Sequence, residues 1–277
     1  MKKFNCSCGQ PLYFENSWCT YCNKQLAYSF ETDSIYTLEI HNQNVYITSN
    51  EIKVRLCKNY TEFNTCNACI PINQDDDWCL ACLLNQTIPD LSHKNNIKKW
   101  AKLESAKRRL IRTLLALDLI VIPKNNGQQN GLAFAFLEDQ QQNVNAEHEF
   151  ILTGHHQGLI TINLAEADDA SREGARELMG ELYRTPLGHL RHESGHYYFE
   201  TLIQNTKWID SFRKLFGNEN LDYQQALSNY YANKKTSLHN DEYISEYAKA
   251  HPLEDWAECW AHYLHMTDTL ETAMPLI

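Results

Sequence analysis

Nine of the ten cysteines in this 277-residue chain lie between Cys6 and Cys82, most of them in pairs separated by one or two residues. No other feature limits the fold so tightly. A short region this rich in thiols is held by cross-links rather than by a large apolar core, and in a reducing compartment the cross-link is a metal ion. Cys6-x-Cys8, ten residues, then Cys19-x2-Cys22 is the spacing of two knuckles that bring four thiolates to one tetrahedral zinc. Gly9 suits the tight turn after the first knuckle. The second cluster offers five thiols for four positions: Cys57, Cys66, Cys69, Cys79 and Cys82. Spacing alone prefers the pairs Cys66/Cys69 and Cys79/Cys82, which leaves Cys57 over. Four thiolates leave no open position, so both sites are structural.

Between the cysteines run short alternating segments, such as Ile35–Ile40 and Val45–Thr48, which predict small strands. Residues 1–90 carry Lys2, Lys3, Lys24, Lys53, Arg55 and Lys58 against ten acids, and the whole chain has a formal net charge of −10. That balance argues against nucleic-acid binding and favours docking of a protein partner on the zinc ribbon. No run of about 18 apolar residues exists to cross a membrane. The opening Met1-Lys2-Lys3 is followed by no apolar stretch, so a cytoplasmic location is expected.

From Asn96 the texture becomes helical. Trp100, Leu103, Ala106, Leu110, Leu114 and Leu117 recur at three- and four-residue steps, and Pro123 bounds them. The same helix carries Lys98, Lys99, Lys102, Lys107, Arg108, Arg109 and Arg112, expected as a solvated face. Gly131–Leu137 and Gly158–Leu164 read as strands, with polar loops at 125–130 and 140–145. Beyond Ala165 the chain reads as helical. The architecture is therefore α+β: a zinc-ribbon region over residues 1–95, then a mainly helical domain with a small sheet over 96–277.

His192-Glu193-Ser194-Gly195-His196 is an H-E-x-x-H sequence. On a helix both imidazoles project from one face and bind one ion, while Glu193 leans toward its bound water. Thr185 is the expected N-cap, with Pro186 at the first helical position. Gly195 costs up to about 1 kcal/mol relative to Ala inside a helix, which points to close approach by another backbone or a substrate. No third His follows near Gln204. Farther on, Glu254 and Glu258 stand one turn apart behind Pro252. Gluzincins such as thermolysin use a Glu ligand followed four residues later by an acid that orients a ligand His. By that similarity Glu254 is the ligand and Glu258 its supporting acid, with the swapped assignment still open. Asp255 reads as a charge at the helix N-terminus.

Through Cys79–Leu91, Glu181–Tyr198 and His251–Ala273 the chain resembles, nearly end to end, the bacterial family of putative zinc-binding metallopeptidases. That family joins an N-terminal zinc ribbon to a gluzincin-like domain. The resemblance implies three zinc ions and hydrolysis of a peptide or protein amide bond, through a zinc-bound water activated by Glu193. It also implies that the second ribbon uses Cys57, Cys66, Cys79 and Cys82, with Cys69 as the alternative. The oxyanion needs a donor; Tyr197, Tyr198, His262, Tyr263, His265 and Arg191 are candidates. His262 and Tyr263 are preferred because they share the third-ligand helix. Strand Gly158–Leu164 is the expected edge for an extended peptide, with His155 and His156 in a loop before it. The competing reading is a catalytically silent zinc-binding module. An intact Glu193 argues against it.

Overall fold

The structure is a computed structural model that describes residues 2–124, 130–139, 153–179, 184–233 and 242–274. Residues 125–129 of the predicted loop at 125–130, the predicted loop at 140–145, and residues 181–183 of the family-like stretch lie outside the described residues.

Two short strands, β1 (Phe4–Asn5) and β2 (Pro11–Leu12), pair antiparallel around the first knuckle. Gly9 takes φ 89° there, the left-handed conformation its lack of a Cβ allows. A five-stranded antiparallel meander follows: β3 (Leu26–Ser29), β4 (Ser34–Asn42), β5 (Val45–Thr48), β6 (Lys53–Leu56) and β7 (Cys69–Pro71). Helices α1 (Lys58–Thr61) and α2 (Leu80–Leu83) each begin directly after a cysteine, Cys57 and Cys79.

Strand β8 (Asn85–Thr87) and helix α3 (Asn96–Ala116) lead into the second half. There β9 (Ala133–Leu137), β10 (Gly154–His156) and β11 (Leu159–Asn163) complete a sheet of order β10-β11-β9-β8. Strands β8, β9 and β11 run parallel, and β10 returns antiparallel on β11. Helices α4 (Asp169–Met179), α5 (Pro186–Leu202), α6 (Ile209–Phe216), α7 (Tyr223–Asn233) and α8 (Pro252–Ala273) follow. One core runs from Ala27 and the second cysteine cluster through Trp100, Leu110 and Phe134 to Leu264; a smaller one holds Phe4, Leu12, Phe14 and Tyr28. No described helix is long and apolar enough to cross a membrane.

Two expectations are corrected. Strand β11 is interior, hydrogen-bonded on both sides, with Ile160 and Ile162 buried. Among the described residues the free edge beside it is β10, so His155 and His156 lie in a strand rather than a loop. The cause is a two-residue hairpin at Gln157-Gly158, both with positive φ (47° and 80°), which matches the twist of the flanking strands. A Cβ at Gly158 would stand 2.1 Å from the Gly131 carbonyl oxygen, so glycine is required there.

The basic face of α3 is not wholly solvated either. Lys98 and Lys102 are exposed, but Lys107, Arg108 and Arg112 are buried. They are buried because each finds carboxylates. Lys107 pairs with Glu104, Arg108 with Glu15, and Arg112 with both Asp33 and Glu271.

Candidate metal centres and active site

The structure brings Cys6, Cys8, Cys19 and Cys22 into one group and Cys57, Cys66, Cys79 and Cys82 into another. Sulfur separations are 3.6 Å for Cys6–Cys22, 3.7 Å for Cys8–Cys19 and 3.7 Å for Cys66–Cys79. A tetrahedron with Zn–S of about 2.3 Å spaces its sulfurs about 3.8 Å apart, whereas a disulfide needs about 2.05 Å. The donor sets fit zinc and do not fit disulfides. Cys69 stands apart from the second group: its thiol donates to the Tyr28 carbonyl at 3.6 Å, and burial pushes it up to about 12. The spacing-only assignment, with Cys57 left over, is therefore not the arrangement found.

Helix α5 carries the H-E-x-x-H segment. Its start is capped by Thr185, whose Oγ1 accepts the Gly188 N–H at 3.1 Å, and Pro186 occupies the first turn. Gly195 faces α8. A Cβ there would lie 2.9 Å from Ala257 Cα, so the glycine sets how closely the two backbones approach. Two indoles of α8 lock the contact: Trp256 Nε1 donates to the Gly195 carbonyl at 2.8 Å and Trp260 Nε1 to Ser194 Oγ at 3.1 Å. Helix α8 is itself capped by His251, whose Nδ1 accepts the Leu253 N–H at 3.1 Å.

The close approach brings His192, His196 and Glu254 into one group whose donor atoms all lie within 4.8 Å of one another. Glu254 Oε2 is 3.0 Å from His192 Nε2, and its Oε1 is 3.6 Å from His196 Nε2. Glu258 lies on the other side of His192, 2.7 Å from Nδ1. The two acids therefore differ in position: one shares the space between both imidazoles, and the other holds a ring from behind. Tyr223 Oη donates to Glu254 Oε1 at 2.5 Å. Burial alone would raise Glu254; hydrogen bonding from His192 and the adjacent imidazoles outweigh it and hold the carboxyl at about 2. Two nitrogens and a carboxylate, nearly buried and oriented from behind, form a donor set that fits one zinc ion with a fourth position left over.

Glu193 is buried one residue from His192, and its Oε1 is 3.4 Å from His189 Nε2. Burial would raise it, but His189 and the neighbouring imidazoles bring it to about 2, so it stands as a carboxylate.

The preferred oxyanion donors are placed less favourably. Tyr263 is 52% exposed, because nine residues from Glu254 carry it about half a turn round the helix. Its hydroxyl makes no described bond to the group. His262 is closer in phase, but its Nδ1 is bonded to the Glu258 carbonyl at 2.8 Å. Tyr197 and Tyr198 donate to the carbonyls of Asn130 and Ile120, and Arg191 pairs with Asp268 and His265. Sequence reasoning missed Tyr223 and Tyr247, which stand in no motif; the Tyr247 ring lies 5.9 Å from that of His192. It also missed His155, which stacks 6.4 Å from His196 and whose Nε2 accepts the Gly158 N–H at 2.8 Å. His189 had a signal, its position one helical turn before Glu193.

Residues 96–276 match the model of a family described as putative zinc-binding metallo-peptidase, and residues 3–93 match that of a zinc-ribbon domain. An uncharacterized protein of Mycobacterium bovis and two of Mycobacterium tuberculosis are each 38% identical over 275 residues, covering 99% of this chain and 75% of theirs. No solved structure gives a significant match.

Proposed function

The chain belongs to the putative zinc-binding metallo-peptidase family, and from that premise we propose that it is a gluzincin-like peptidase that hydrolyses peptide or protein amide bonds. The observation that carries this reading is the Glu254 carboxylate set against Nε2 of both His192 and His196, with Glu193 on the same helix beside them. His192, His196 and Glu254 would hold the catalytic zinc, and the two four-thiol groups would hold two structural ones. Bound there, zinc would supply a water of pKa lowered toward about 7 and a Lewis acid for the scissile carbonyl.

The protein's own residues do the rest. Glu258 orients His192 from Nδ1, and Tyr223 steadies Glu254. Glu193 accepts the proton of the attacking water and delivers it to the leaving amine. Burial raises the Tyr247 phenol well above its ordinary value, so it remains a neutral donor beside His192 for the developing oxyanion. Among the described residues the outer edge of β10 is unpaired and offers an extended peptide a strand to pair with. Two four-thiolate zinc groups suit a reducing compartment such as the cytoplasm.

Elemental analysis tests the metal assignment. We expect three zinc per chain in wild type and two in His196→Ala. Two in both would overturn it. Glu193→Gln is expected to keep all three and lose hydrolysis of a protein substrate such as casein; undiminished hydrolysis would remove Glu193 from the mechanism.

A further inference from the structure

We propose that His189 is a positioning residue for Glu193, held in turn by Glu166 and Arg184; this rests on the peptidase reading. The residues form a line of side chains that ends on the Glu193 carboxylate. Arg184 Nη2 donates to Glu166 Oε1 at 2.6 Å. That same oxygen is 3.5 Å from His189 Nδ1, and His189 Nε2 is 3.4 Å from Glu193 Oε1. The four side chains are mostly enclosed, with exposures of 11% for Arg184 and Glu166, 19% for His189 and 7% for Glu193.

Burial makes the arrangement consequential. A buried carboxylate without a donor is costly, and Glu193 has the imidazoles of His192 and His196 beside it. Without a donor on its far side, its carboxylate is drawn to those rings and competes with Glu254 for them. His189 supplies the opposing attraction from one turn earlier on α5, the reach of an i,i+4 pair. It cannot do so unaided, because its ring is fixed only if the second nitrogen is also engaged. Glu166 faces that nitrogen at 3.5 Å, an ion-pair distance without hydrogen-bond geometry, from outside the helix, in the turn Leu164–Ala167 that leaves β11 directly. The position of the base is thereby tied to the sheet whose outer strand is β10.

The test is a binding cycle with acetohydroxamate, a zinc ligand whose hydroxyl proton a well-placed Glu193 accepts, on the full zinc-loaded chain. We expect His189→Leu to weaken acetohydroxamate about tenfold, in the range seen for residues supporting a metal site, with zinc content unchanged. Glu193→Gln should weaken it by a similar factor, and the double variant should show little further loss, because both changes remove one unit. His189→Gln, which keeps an N–H donor, should recover most of the affinity, a rescue that a merely structural role would not give. Should His189→Leu not fold, Glu166→Gln carries the same test from outside the helix. Unchanged affinity in these variants, or full additivity with Glu193→Gln, would overturn the proposal. Wild-type protein that holds three zinc ions yet does not bind acetohydroxamate would instead overturn the active-site reading, and the proposal with it.

Discussion

Gly195 sets how closely the helix of His192 and His196 approaches the helix of Glu254. Alanine there would gain up to about 1 kcal/mol in helix propensity. Its Cβ, 2.9 Å from Ala257 Cα, would have to be accommodated by moving backbone, and overpacking of that kind costs about 1–3 kcal/mol. Strain wins, so we expect Gly195→Ala to lower the melting temperature. Because Glu254 lies one turn before Ala257, the variant should also give up its third zinc to a chelator more readily than wild type.

Glu166 makes a pH-dependent contribution whose sign follows from its surroundings. Burial would raise its carboxyl, but His189 and Arg184 prevail and bring it from 4.5 to about 2. A lowered carboxyl stabilises the fold fully above the unfolded value and loses that contribution as pH falls toward the folded one. The amount is on the order of 3 kcal/mol. Urea unfolding should find Glu166→Gln less stable than wild type by a constant margin between pH 7 and 5.5, and by a shrinking margin below pH 4.5.

At the scale of elements, α3 and α8 are joined by charges that the periodicity of α3 assigned to solvent. Arg112 donates to both oxygens of Glu271 at 2.6 Å and to Asp33 at 2.9 and 3.1 Å. Next to this, Arg191 of α5 is 1% exposed and pairs with Asp268 of α8, which also accepts from Thr113 of α3 at 3.0 Å. Three helices thus meet at one polar seam. Removing one partner of a buried pair costs about 3–5 kcal/mol, while replacing both by apolar groups of similar volume is often nearly neutral. Asp268→Ala should therefore destabilise the protein by about 3 kcal/mol in urea, and Arg191→Met with Asp268→Leu should recover much of it. If the double variant is as unstable as the single, the seam acts through its hydrogen bonds and not through uncompensated charge.

For the whole molecule, the two thiol groups have different reach. Cys6 and Cys19 belong to the small core with Phe4, Leu12 and Phe14, whereas Cys57, Cys66, Cys79 and Cys82 lie in the large core that extends to Trp100 and Leu264. Cys79 and Cys82 also lead through α2 into β8, which pairs with β9 in the sheet that ends on β10 and His155. Metal binding in such a region contributes folding free energy. Cys22→Ser should lose one zinc and raise amide exchange only near the first knuckles. Cys79→Ser should raise it across β8, β9 and α3 as well. Exchange confined to residues 53–84 in Cys79→Ser would show that the ribbon and the helical half fold independently.

Sequence alone determined whatever rests on local spacing. The knuckles of Cys6–Cys22, the extent of α3, the cap and first turn of α5, and the pairing of His192 with His196 depend on neighbours along the chain. Turn geometry and the helical repeat are enough to place them. The tertiary structure decided what depends on approach between distant segments. It set Glu254 between two imidazoles with Glu258 behind one, left Cys69 outside its cluster, and buried Arg112 among carboxylates from residues 33 and 271. It also brought Tyr223, Tyr247 and His155 to the site and, among the described residues, made β10 the edge strand. Those outcomes turn on which side chains meet across the core, where burial makes an unpaired charge or an extra methyl group costly, and no period along the chain encodes that.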